Sequence, residues 1–189
     1  MNPYDEVWMA EGTLTKFPKI ASALGEVVAA WSYAESVVVR LLACILRDVQ
    51  IAEAIYYSTP TFDGRVRMIK SVINATSLQE AHKEAALKAI EGLRGLSGTR
   101  NSYIHNRIIH NQQGTEAHMI APAQPPGSPA RGKPMKAADI MAHADAVIKR
   151  AHQVLEALMQ AFPQARFVSP ADVPSLAHPK TGPILPSRT

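Results

Sequence analysis

Residues 18–47 read PKIASALGEVVAAWSYAESVVVRLLACILR, and the spacing of their apolar side chains decides the fold. Ile20, Leu24, Val27, Trp31, Ala34, Val38, Leu41 and Ile45 recur at alternating steps of four and three. That is the seam of one long helix; a strand would alternate every second residue. Thr15 is the expected N-cap, and Pro18 suits the first turn, where its missing N–H costs nothing. A helix with one such seam must bury it against partners, and the rest of the chain supplies them.

Asp48 can cap a short helix through Tyr57. Thr59-Pro60 opens a third helix to about Asn74, with Val66, Ile69, Val72 and Ile73 on its inner side. Ser77-Leu78-Gln79-Glu80 has the form of a capping box, starting a fourth helix that runs to about Asn106, which tolerates the left-handed conformation and can end it. Leu78, Ala85, Ala89, Leu93, Leu96 and Tyr103 lie near one side of this helix. Gly92, Gly95 and Gly98 interrupt it, each costing about 1 kcal/mol against Ala, so a close neighbour or a kink is expected there. Ile108–His110 and Ala117–Ile120 flank Asn111-Gln112-Gln113-Gly114 as a small hairpin. A last helix spans 136–161, with Ile140, Ala144, Val147, Ala151, Val154, Leu158 and Phe162 in register.

Proline marks the edges of this pattern. Eleven of the fourteen prolines fall in 122–134 and 163–186, while only Pro60 lies within 19–121. Because proline removes a donor and breaks helices, the chain divides into an arm 1–17, a bundle 18–161 with a proline-rich insertion 121–135, and an extended or disordered tail 162–189. Amphipathic helices with one apolar face each predict an all-α fold: an antiparallel bundle of four to five helices.

Composition narrows the function classes. The chain has 189 residues, 47% of them hydrophobic and 19% charged, enough to bury a core. Its lone cysteine, Cys44, cannot form an intramolecular disulfide or a cysteine-rich zinc site, and its place in the first helix suits the core. The acidic start MNPYDEVWMAEG lacks the apolar region of a secretory signal, and no apolar run reads as long enough to span a membrane. A cytoplasmic protein with no membrane association is expected. No phosphate-cradling Gly-x-x-x-x-Gly-Lys loop and no Gly-x-Ser-x-Gly elbow occurs. His110 and His118 lack ligand partners at supporting spacing, Asp139 and His143, four apart, read as a permissible ligand pair but equally as a surface pair, and no metal or cofactor is expected.

Charge is divided unevenly. Residues 1–60 carry four basic and seven acidic side chains, net −3, whereas 61–110 carry eight basic and four acidic ones, net +4. The positive charge therefore belongs to the third and fourth helices. Arg65, Arg67, Lys70, Arg94 and Arg107 are candidates for RNA phosphate contacts there; a solvated helix face is the alternative.

The end of the fourth helix concentrates unusual chemistry in Thr99-Arg100-Asn101-Ser102-Tyr103-Ile104-His105-Asn106. The seam places Arg100 partly inside. Asn101 and His105, four apart, share a face. Arginine holds phosphate bidentately and histidine moves protons near neutral pH, so these residues suffice for acid–base cleavage of a phosphodiester. Arg and His at a helix C-terminus also simply complement its dipole, and spacing does not choose between the two readings.

The run Arg100-Asn101-x-x-x-His105 closing a bundle helix, with Trp31-x-x-x-Glu35 on the long first helix, resembles the HEPN superfamily over about residues 18–161. The resemblance implies a metal-independent endoribonuclease of a toxin–antitoxin or anti-phage defence system, working as a homodimer with its motifs facing each other and associated with an antitoxin or regulatory protein. It makes His105 the acid/base at the ribose 2′-hydroxyl and leaving oxygen, Arg100 the stabiliser of the charged phosphorane, and Asn101 a positioning group, with a cyclic 2′,3′-phosphate product. Glu35, on the seam's flank, either meets a buried cation, with Arg100 the candidate, or is an exposed flank carboxylate, and Tyr103 supports the motif. Two departures are plain: Arg107 stands where one HEPN subgroup has a modifiable tyrosine, and Asn106 where many have glycine. Some HEPN domains are non-catalytic and bind nucleic acid, nucleotides or partner proteins, so a binding module is the alternative.

Overall fold

The computed structural model describes residues 8–9, 14–111, 115–120 and 133–164. Residues 1–7 and 10–13 of the arm, the centre of the hairpin turn, most of the proline-rich insertion and the tail beyond Gln164 lie outside them. In chain order the elements are β1 (Trp8–Met9), α1 (Pro18–Leu46), α2 (Val49–Ser58), α3 (Phe62–Ala75), α4 (Glu80–His105), β2 (Arg107–Asn111), β3 (Ala117–Ile120), β4 (Lys133–Pro134) and α5 (Ala137–Ala161). The fold is a helical bundle with one small sheet.

α1 is the central helix, packing against α5, α2 and α4; α4 also packs against α5 and α3. Its predicted seam is inside: Ile20, Val27, Trp31, Ala34, Val38 and Leu41 are buried, with Leu24 and Ile45 partly so. Neighbours on several sides also bury Ala23, Ala30, Val37, Val39 and Leu42. This breadth overturns the expectation that no apolar stretch reaches spanning length. By length and composition α1 is sufficient, with a mean hydropathy of 1.5 over its most apolar window, because a helix packed on several sides carries few charges. The opposing faces are equally regular. Ile140, Ala144, Val147, Ala151, Val154 and Leu158 of α5, Ile90 and Leu93 of α4, and Ile69 and Ile73 of α3 are buried. Full burial of each large aliphatic side chain contributes about 1.5–3 kcal/mol.

Helix boundaries depart from the sequence reading at their caps. Asp48 caps α2 as expected, accepting from the Ile51 N–H at 3.0 Å. α1 starts after Phe17, not from a Thr15 cap, and keeps Pro18 in its first turn. The Thr61 hydroxyl caps α3 by accepting from Gly64 N at 3.1 Å, two residues beyond Thr59. The Ser77–Glu80 capping box does not form. Gln79 is the N-cap without a side-chain bond, so Glu80 is the first helical residue, too early to reach back, and its carboxylate takes Lys83 Nζ at 2.9 Å instead. Asn106 ends α4 in an extended conformation, φ −78° and ψ 150°, because the chain runs directly into β2.

The glycines of α4 have separate explanations. A Cβ on Gly92 would meet Arg150 Cδ of α5 at 2.9 Å, whereas nothing lies within 4 Å of one on Gly95 or Gly98. Close approach therefore applies only to Gly92, and α4 runs unbroken through all three.

The hairpin forms as β2 and β3, antiparallel with Ile109 opposite His118. It is extended at both edges by β1 and β4 into a sheet of order β1-β2-β3-β4. Two-residue strands carry no periodicity, which is why the edges were illegible. Asn111 is buried and organises the turn, its Oδ1 accepting from Thr115 N at 2.8 Å and Glu116 N at 3.1 Å.

Candidate active site

One cavity, about 470 Å³ in volume, is lined by Trp31 and Glu35 of α1, Tyr57 of α2, Pro60 and Thr61 of the turn, Phe62 and Arg65 of α3, and Arg100, Asn101 and His105 of α4. Its size lies within the roughly 300–1,000 Å³ usual for ligand sites. Four helices contribute because α1 presents Trp31 and Glu35 one turn apart, while Thr59-Pro60 and the Thr61 cap turn the chain back over them.

The floor is held by an ion pair. Glu35 Oε1 accepts from Arg65 Nη1 and from the Tyr56 hydroxyl, the latter at 3.2 Å. Arg65 Nε donates to the Thr59 carbonyl at 2.8 Å, and its guanidinium lies 4.6 Å from the Tyr56 ring centroid and 5.5 Å from that of Tyr57. Burial raises the Tyr56 hydroxyl well above the ordinary tyrosine range, and the Glu35 charge adds to it; Tyr56 is a neutral donor. This corrects the expectation that Glu35 pairs with Arg100. Arg65 reaches the carboxylate from α3 and takes it.

Among the described residues, Arg100 is left without a carboxylate. It is half-buried, its guanidinium 5.6 Å from the Trp31 ring centroid, a cation–π contact, and Trp31 is itself fixed edge-on by Phe62 at 4.8 Å. Nη1 of Arg100 donates to Asn101 Oδ1 at 3.1 Å, while its buried Nε has no hydrogen-bond partner among the described residues. An unsatisfied buried donor on a charged group is costly, and this one lies too deep for a ligand in the cavity to reach. Asn101 and His105 are exposed on the same wall.

The remaining predicted residues lie elsewhere or are already engaged. Arg94 Nε donates to Asp63 at 2.6 Å and Lys70 Nζ to Glu91 at 2.7 Å, while Arg67 lies 3.4 Å from Asp63. Those hydrogen bonds hold the Glu91 carboxyl below its ordinary range, Lys70 first, and raise Arg94 through Asp63. The basic stripe on α3 and α4 is thus threaded with acids, which weakens it as a phosphate track. Arg107 is exposed on β2.

Tyr103 faces away from this cavity, packing against His143 with ring centroids 5.5 Å apart. Burial, then Asp139, raises its hydroxyl. His143, read as a surface partner of Asp139, is in fact buried, because α4 covers it; burial lowers its pKa. Cys44 packs at the core's margin, its thiol raised by burial. Among the described residues no group of three or more His, Cys, Asp or Glu is arranged to hold a metal ion.

Tyr57, Phe62, Pro60 and Thr61 were not anticipated as site residues. The available signal was the register of α2: Tyr56 takes the inward position, so Tyr57 must turn out beside the Thr59-Pro60 break.

No family model, curated protein or solved structure matches this chain. The site's own chemistry has to carry the functional argument.

Proposed function

We propose that the protein is an endoribonuclease whose acid–base group is His105 and whose phosphate-stabilising group is Arg100. The observation that carries this reading is the Arg100 guanidinium, partly buried in a cavity it shares with His105 and paired with no carboxylate among the described residues. A cation held in place, but not neutralised by its own protein, is suited to charge that develops on a substrate. The Glu35–Arg65 pair supports the arrangement by occupying the nearby carboxylate that would otherwise quench Arg100.

In this reading the scissile phosphate lies against Arg100, with Asn101 orienting a phosphate oxygen or the imidazole. His105 takes the proton of the ribose 2′-hydroxyl, the 2′-oxygen attacks phosphorus, and the P–O5′ bond breaks as the His105 imidazolium returns that proton to the leaving 5′-oxygen, giving a cyclic 2′,3′-phosphate and a 5′-hydroxyl. The resemblance to HEPN ribonucleases adds a two-fold assembly, a regulatory partner and a defence role. Exposed Val49, Ile51 and Ile55 on α2, and Ile104 beside His105, provide apolar surface for a second copy.

Arg100 and the cavity are equally compatible with a non-catalytic module that binds nucleic acid, a nucleotide or a partner protein, in which His105 has no chemical role. Incubating the purified protein with structured and unstructured RNA in EDTA separates the two. Cleavage to cyclic phosphate ends, lost in His105→Ala, is expected; equal behaviour of wild type and variant leaves the binding module.

A further inference from the structure

We propose that Tyr57 is a base-stacking platform at the rim of the cavity, so that the substrate is an unpaired RNA nucleotide whose base lies on this ring beside the phosphate at Arg100. The inference rests on the ribonuclease reading for its substrate and on separate observations for its geometry.

Tyr57 lines the same cavity as Arg100, Asn101 and His105 and is 56% exposed. Large aromatic rings cost free energy when left in water, and the other aromatic residues of the region avoid this. Tyr56 is fully buried, Trp31 is 3% exposed, and Phe62 packs edge-on against Trp31. Yet Tyr57 is held in place. Tyr56 meets its ring nearly perpendicularly, with centroids 5.1 Å apart, and the Arg65 guanidinium lies over it. Arg65 is in turn fixed by Glu35 and the Thr59 carbonyl. A positioned, exposed aromatic ring sharing a cavity with a cation that pairs with no carboxylate among the described residues matches the two needs of a nucleotide: a π-face for the base and a positive charge for the phosphate. A base inside a duplex is stacked on both sides and cannot lie on Tyr57, whereas one in a single strand or loop can.

The test uses the full chain carrying His105→Ala, so that RNA is not consumed. Its affinity is measured for a short single-stranded RNA and for the same sequence as a duplex, by fluorescence anisotropy at fixed salt. Adding Tyr57→Ala should weaken single-strand binding roughly five- to hundred-fold, the range for loss of one aromatic–base stack, and leave the weaker duplex binding unchanged. Tyr57→Phe and Tyr57→Trp should retain single-strand affinity. Unchanged affinity in Tyr57→Ala, or the same loss on duplex as on single strand, overturns the proposal.

The two readings fail separately. Tyr57-dependent binding without His105-dependent cleavage by the wild type removes the nuclease and keeps the platform. His105-dependent cleavage with Tyr57→Ala binding normally removes the platform and keeps the nuclease. No binding of either RNA removes both.

Discussion

The Glu35–Arg65 pair allows a quantitative test of how the site is assembled. Both side chains are largely buried, at 19% and 16% exposure, and Glu35 also takes the hydroxyl of fully buried Tyr56. Removing one partner of a buried pair costs about 3–5 kcal/mol, because the other charge is stranded. Residual exposure and the surviving bond from Arg65 Nε to Thr59 reduce this, while the orphaned Tyr56 hydroxyl adds about 1 kcal/mol. Glu35→Ala should therefore destabilise by about 2–3 kcal/mol, measured by urea denaturation. At roughly 2–4 °C per kcal/mol for a chain of this size, the melting temperature should fall by about 4–12 °C. A double-mutant cycle is more discriminating. Glu35→Ala and Arg65→Ala should couple by about 2 kcal/mol, whereas Glu35→Ala and Arg100→Ala should couple by less than about 0.5 kcal/mol, the scatter of non-interacting sites. A larger coupling of Glu35 to Arg100 than to Arg65 would refute the pairing and the argument that Arg65 keeps Glu35 from Arg100.

Two further outcomes concern the bundle. Gly98→Ala should stabilise by about 1 kcal/mol, since the helix gains propensity and nothing within 4 Å meets the new Cβ; a loss in thermal melting would show a hidden contact. His143 is buried and held below its ordinary pKa of 6.5 by desolvation, so it folds neutral. A depressed folded pKa makes its contribution complete above the unfolded value and lost as pH falls beneath it. Wild-type stability should thus decline below about pH 6.5, and His143→Leu should remove part of that slope; identical slopes would contradict the assignment.

How much the sequence revealed follows from length and side-chain redundancy. The seams of α1 and α5 were legible because each repeats its spacing over roughly six to seven turns, so a single ambiguous residue cannot shift them. Caps were less so. Ser77–Glu80 fits a capping box letter by letter, yet the helix starts at Glu80, because a boundary rests on a few tenths of a kcal/mol and Lys83 competes for the same carboxylate. At the site, Arg100, Asn101 and His105 were found from one continuous segment of α4, and all three line one cavity. Tyr57 and the pairing of Glu35 with Arg65 depend on how α2, α3 and α1 converge, which no spacing within a single helix encodes. Tyr103 failed for a related reason: its seam position was right, but the seam there faces α5 and His143.

The central claim is tested most directly by the single-turnover rate of RNA cleavage in EDTA at saturating protein. General acid–base catalysis contributes typically 10²–10⁴-fold. The account predicts that His105→Ala slows cleavage by at least about 100-fold while its affinity for the same RNA stays within a few-fold of wild type. A His105→Ala rate equal to that of the wild type would contradict it.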